Sequence, residues 1–155
     1  MGSQPDTSAV VADFLADAKR LEGRLSWKPK STRGDYVWTS HLVVVLSGRH
    51  RAADLHLTAH LTREPRKYGF TLIWRGAKIL RLDVEPGATH FNISTKTSVS
   101  GTHWQRWPDD EAEPDLRALD HRGWLTAFCG RANIAFEPDQ YKAPPFKTYQ
   151  YEMPL

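Results

Sequence analysis

A single cysteine, Cys129, stands in a chain of 155 residues. With no second thiol there is no intrachain disulfide, so the fold does not depend on an oxidising compartment. The same scarcity excludes the multi-cysteine cluster of a structural zinc site. Long apolar runs are also missing. The longest, LVVVL at Leu42–Leu46, is far shorter than the ~20 residues needed to cross a bilayer. The opening MGSQPDTSAVV lacks the basic and apolar regions of a signal peptide, and Asp6 stands where a myristoylation pattern requires Ser or Thr. These absences predict a cytoplasmic protein with no membrane partner. No P-loop, G-x-G-x-x-G, G-x-S-x-G or H-E-x-x-H is present, so no cofactor and no metal are expected.

What is present is the composition of a globular domain: 40% hydrophobic, 25% charged and 11% aromatic. The length suits one domain over residues 1–155, with an extended tail from about residue 138. The net charge of +3 and a pI of about 9.1 suit a polyanionic partner. Six tryptophans serve first as core residues, and the same ring type also stacks on bases.

Apolar residues Val10, Val11, Phe14, Leu15, Ala18 and Leu21 recur at helical spacing after the capping candidates Asp6, Thr7 and Ser8, with Gly23 as a stop. Strand-like segments follow. YVWTSHLVVVLS is rich in β-branched and aromatic residues. LHLTAHLT alternates, with Leu55, Leu57, Ala59 and Leu61 on one side and His56, Thr58, His60 and Thr62 on the other. YGFTLIW and AKILRLDV flank an Arg75-Gly76 turn. HFNIS and THWQRW are shorter strand candidates. After the acidic DDEAEPD, a second helix capped by Asp115 or Asp120 runs through Trp124, Leu125 and Phe128, with Gly130 as its stop. IAF reads as a last short strand. The order predicts an α+β fold: a mostly antiparallel sheet of about five to seven strands between an N-terminal and a C-terminal helix.

Candidate chemistry lies in three places. His56 and His60 sit on one strand about 13 Å apart, too far to share one metal or one phosphate, and are read as a solvated face. His90 and His103 lie on separate segments joined by a loop. If Asn92 opposes His103, the two imidazoles share a face and can act as base and acid on a ribose phosphate, with Arg106 and Lys96 stabilising the developing charge. That is the kit of a metal-independent ribonuclease. A metal set of His90, His103 and Asp83 has no local spacing in its favour. Third, Arg49 and Arg51, then Arg63, Arg66 and Lys67, then Arg75, Lys78 and Arg81 mark successive turns, where they can track a phosphate backbone.

The segments RLDVEPGATHFN, GTHWQRW and WLTAFCGRANI carry a resemblance. A strand ending in Arg81–Asp83, a His90/Asn92 segment, a Gly101–His103 strand and a last helix ending in Asn133–Ile134 resemble small uncharacterised bacterial and phage-borne proteins. Some of these travel with toxin–antitoxin or phage-conflict loci. The resemblance implies RNA or conflict biology. The expectation is therefore a domain that binds or acts on RNA or single-stranded nucleic acid, extending to a toxin-type ribonuclease. The alternative is a non-catalytic module that binds a protein partner, such as an antitoxin, through its sheet edge or aromatic tail.

Overall fold

The computed structural model describes residues 7–31, 34–46, 50–60, 67–85, 89–92 and 96–145. In chain order they form α1 (Ser8–Ala16), β1 (Lys19–Glu22), β2 (Lys28–Ser31), β3 (Gly34–Leu46), β4 (His50–His60), β5 (Lys67–Trp74), β6 (Ala77–Val84), β7 (Thr89–Asn92), β8 (Thr97–Ser100), β9 (His103–Arg106), β10 (Glu113–Pro114), α2 (His121–Arg131) and β11 (Ile134–Ala135). The fold is α+β with a mostly antiparallel sheet, an N-terminal helix and a C-terminal helix. Among the described residues no helix is long and apolar enough to cross a membrane.

The main sheet has nine strands among the described residues, in the order β10-β9-β6-β5-β4-β3-β1-β11, with β2 also paired to β3. Only β1 and β11 pair parallel. The count exceeds five to seven because β1 and β2, of four residues each, and β10, of two, join the sheet. Segments this short carry no readable alternation. β7 and β8 form a separate two-stranded sheet. The Arg75-Gly76 turn joins β5 to β6 with positive φ at both residues (51° and 76°), the geometry of the tight hairpin turn that follows strand twist.

Thr7 caps α1 by accepting from the Val10 amide (3.1 Å), and Val11, Phe14 and Leu15 form its buried stripe. The helix ends before Leu21, earlier than the apolar periodicity predicts. Lys19 folds its ammonium back onto the carbonyls of Phe14, Leu15 and Asp17, satisfying acceptors that the helix end leaves open. The chain then continues as a strand. Leu21 reaches the core from β1, opposite Val44 of β3.

Leu55, Leu57 and Ala59 of β4, Phe70, Leu72 and Trp74 of β5, and Leu80 and Leu82 of β6 all turn inward and are buried. Both helices cover this one face. Phe14 of α1 stacks on Trp74 (ring centroids 4.1 Å), while Phe128 of α2 packs against Phe70 and Trp104 (5.9 Å each). Asp120 is the cap of α2, accepting from the Gly123 amide (2.7 Å). Gly130 lies inside the helix rather than after it. Asn133 makes the turn instead, at φ 54°. Its side-chain amide donates to the Ala16 carbonyl (2.7 Å), and its own carbonyl accepts from the Lys19 amide (2.9 Å). Asn133 therefore ties the ends of both helices together and delivers Ile134 to β11 beside β1.

The segment after β11 straps across the molecule. Gln140 donates to the carbonyls of Leu21 and Gly23, Trp27 Nε1 donates to the Lys142 carbonyl, and Tyr141 Oη is hydrogen bonded to His121 Nδ1 (2.8 Å). The His121 ring lies among Trp27, Tyr68, Phe70 and Tyr141. Burial pushes its pKa down to about 4. In the unfolded chain it titrates near 6.5, so the unfolded state binds the proton first. Stability should be full above pH 6.5 and fall as the pH drops towards 4, by up to about 3 kcal/mol from this group. Urea midpoints at pH 7 and pH 4.5 should differ less in a His121→Phe variant than in the wild type. An equal difference would assign the acid sensitivity elsewhere.

Candidate functional site

The strand repeat that buries one set of side chains under the helices turns the other set to the opposite face of the sheet. Across that face His41, His56, Thr71, Arg81 and Gln105 stand opposite one another on β3, β4, β5, β6 and β9. A second row runs Thr39, Thr58, Gly69, Asp83 and His103, and a third Val43, Asp54, Ile73 and Lys78. At about 4.8 Å per strand, each five-strand row is roughly 19 Å long. No described helix covers this face.

His41 and His56 meet edge to face (centroids 4.7 Å). Asp54 takes His41 Nε2 (2.9 Å) and Arg51 Nη2 (2.7 Å) on one oxygen. Burial opposes the charge of Asp54, but these two hydrogen bonds outweigh it and lower its pKa. Burial, and then the neighbouring His41, lowers the pKa of His56, which favours the neutral ring. His56 is exposed, in agreement with a solvated face, and Lys78 lies close enough to weigh on its titration.

At the β9 side the face closes. Gln105 Nε2 donates to the Asp110 carbonyl (2.7 Å), which folds the chain after β9 back over the sheet, and His103 and Gln105 are buried. His103 Nδ1 is 2.8 Å from the Gly101 carbonyl, so that nitrogen carries the proton; Nε2 faces Asp83 Oδ2 at 3.5 Å. The Asp83 hydrogen bond raises the His103 pKa against the cost of burial. Burial likewise opposes the charge of Asp83, and His103 and Arg81 overcome it.

The expected pairing of the His90 and His103 segments is not the one formed. The His90 segment does reverse, but onto β8: His90 opposes Val99 and Asn92 opposes Thr97, while His103 opposes Asp83 of β6. The reason is the apolar side of β9. Trp104 stands beside Leu82 over the core, so THWQRW takes the edge of β6, which offers that surface, rather than the polar HFN segment. Asn92 instead clamps Ala112, donating to its carbonyl (3.1 Å) and accepting from its amide (2.8 Å). Lys96 is exposed in the β7–β8 turn at φ 55°. Arg106 lies three residues from His103, an odd spacing, and so points to the helix side. There it lines a cleft of about 560 Å³ with Trp104, Arg131 and the ends of both helices. Arg106 and His103 thus serve opposite faces of the sheet.

Of the basic turn residues, Arg49, Arg63 and Arg66 lie outside the described residues. Arg51 and Lys78 belong to the polar face at one end of the strands. Arg75, at the same end, lies over the Trp74 ring (4.4 Å) on the helix side. Lys67, at the other end, pairs with Glu85 (3.3 Å). Sequence reading missed the partnership of His41, Asp54 and Arg81 with His56. Extending the two-residue alternation of LHLTAHLT to the neighbouring strands is the signal that finds them. Among the described residues no group of three or more His, Cys, Asp or Glu is placed to hold a metal.

Comparison with protein-family models, with curated proteins and with solved structures returns no match.

Asp83→Asn should lower the His103 pKa, read from the imidazole proton shifts by NMR titration. It should also cost about 2 kcal/mol of stability near pH 6, because it weakens a pair whose imidazole is buried and whose carboxylate is partly so. The stability that His103 supplies is present below its unfolded pKa and is lost as the pH rises through the folded value. An unchanged His103 titration in the variant would show that Asp83 is not its governing partner.

Proposed function

We propose that this protein binds single-stranded nucleic acid on the open face of its sheet. The observation that carries this reading is the row His41–His56–Thr71–Arg81, continuous across four neighbouring strands and flanked by Lys78 and Arg51, on the one face that no described helix covers. A neutral imidazole offers a flat ring on which an unstacked base can rest. Lys78, Arg81 and Arg51 supply cations for the phosphates between bases, and the hydroxyls of Thr39, Thr58 and Thr71 supply adaptable hydrogen bonds. A face of roughly 19 Å accommodates a few nucleotides, in the manner of other sheet-face binders. The resemblance to proteins of toxin–antitoxin and phage-conflict loci leans the same way.

The reading is one of binding rather than of two-histidine catalysis. His103 is buried with both ring nitrogens engaged, and Arg106 faces the other side of the sheet. A protein partner is the second reading, favoured by Leu116, which is 93% exposed and is the exposed large hydrophobic residue among those described.

The test is fluorescence anisotropy with a labelled uridine decamer. Log affinity should fall linearly with log salt, with a slope of roughly −2 for about three neutralised phosphates. Lys78→Ala and Arg81→Ala should each weaken binding by about threefold to tenfold and make the slope shallower. Binding that is absent at low salt, or insensitive to salt, would remove this reading and favour the protein partner.

A further inference from the structure

Gly69 stands in the middle of the open face, between Thr58 on β4 and Asp83 on β6. The position is ordinary extended strand, so its need for glycine is spatial. A Cβ there would come within 2.6 Å of Thr58 Oγ1 and 3.9 Å of Asp83 Oδ1. The Thr58 hydroxyl thus leans over the bare backbone of β5 from one side, and the Asp83 carboxylate borders it from the other. The other Asp83 oxygen, Oδ2, faces Arg81 Nη2 (3.6 Å) and His103 Nε2 (3.5 Å). Those two partners, a guanidinium and an imidazole, hold the carboxylate in place and turn Oδ1 towards the glycine floor.

A carboxylate only accepts hydrogen bonds, whereas a threonine hydroxyl both donates and accepts. The small group that uses both to the full is another hydroxyl, which donates to the carboxylate and accepts from threonine. Arg81 flanks the same spot with a cation. A hydroxyl carried close to a phosphate is the signature of a ribose.

Resting on the nucleic-acid reading above, we infer that Thr58 and Asp83, across the floor of Gly69, read a ribose 2′-hydroxyl, so that the strand held on this face is RNA rather than DNA. Phosphate contacts do not distinguish the two polymers; this contact does.

The experiment compares uridine and deoxyuridine decamers, which differ only in the 2′ position, at one salt concentration. The wild type should bind the ribo-oligomer about threefold to tenfold more tightly, the worth of one or two hydrogen bonds. Thr58→Val removes the hydroxyl at constant shape, and Gly69→Ala fills the floor at the expense of the threonine rotamer. Both should bring the affinity ratio towards one by weakening RNA binding several-fold more than DNA binding. Circular dichroism and urea midpoints confirm that each variant is folded, and Thr58→Val carries the test if Gly69→Ala is not. Equal wild-type affinity for the two oligomers overturns the inference and leaves the nucleic-acid reading standing. A preference for RNA that survives Thr58→Val overturns it too. Binding to neither oligomer removes the nucleic-acid reading and this inference with it.

Discussion

Everything on the open face follows from burial on the other. Leu55, Leu57 and Ala59 are driven beneath the two helices, together with Phe70, Leu72, Leu80 and Leu82 on the next strands. Burying such side chains is worth about 1.5–3 kcal/mol for each large one, so the register of three adjacent strands is strongly held. Because a strand has a period of two, that register leaves no freedom for His56, Thr58, Thr71, Arg81 and Asp83. They are carried to the far side in aligned rows. A one-residue slip in any strand would put apolar groups into water and polar groups into the core at once.

The charges on that face are organised in small, local sets rather than as one basic field. Asp54 serves His41 and Arg51, Asp83 serves Arg81 and His103, and Glu85 serves Lys67. Each acid orients the basic side chains beside it. This explains how a chain with a net charge of only +3 can present ordered cationic groups in one place. The Asp83–His103 pair also illustrates a division between holding and binding. Its imidazole is buried and committed at both nitrogens, while its carboxylate keeps one oxygen directed at the face.

On the helix side, polar groups act as fasteners. Lys19 closes α1, and Asn133 joins the end of α2 to the end of α1 while turning the chain into β11. Gln140, Tyr141 and Lys142 then bind the C-terminal strap to β1, to the loop before β2 and to His121. His121 is the point at which this strap, α2 and β5 meet. The aromatic rings around it exclude water, and that exclusion is what lowers its pKa. Asn92 does the same work on a smaller scale, replacing the backbone partners that Ala112 lacks. These are local hydrogen-bond devices, and they fix how the helices and connections sit against a sheet whose register is set by burial.

Alternation in LHLTAH, the apolar stripe of Val11, Phe14 and Leu15 and the Arg75-Gly76 turn were all determined by the sequence, because each depends only on residues within a turn or two of chain; for the cap of α2 the sequence offered Asp115 or Asp120, and the structure selects Asp120. They suffice for the α+β class, for both helices and for the turning of His56 and His60 away from the core. Three things were decided only by the tertiary structure. The end of α1 depends on a lysine three residues beyond the helix that folds back on it, and on a strand pairing with residues Val43–Leu46. The partner of β9 depends on an apolar edge on β6, which drew His103 to Asp83 and away from the His90 segment. The meeting of His41, His56 and Arg81 depends on the registers of three hairpins at once. Local patterns state which way a side chain turns; which distant side chain it then meets is set by the burial of everything on the other face.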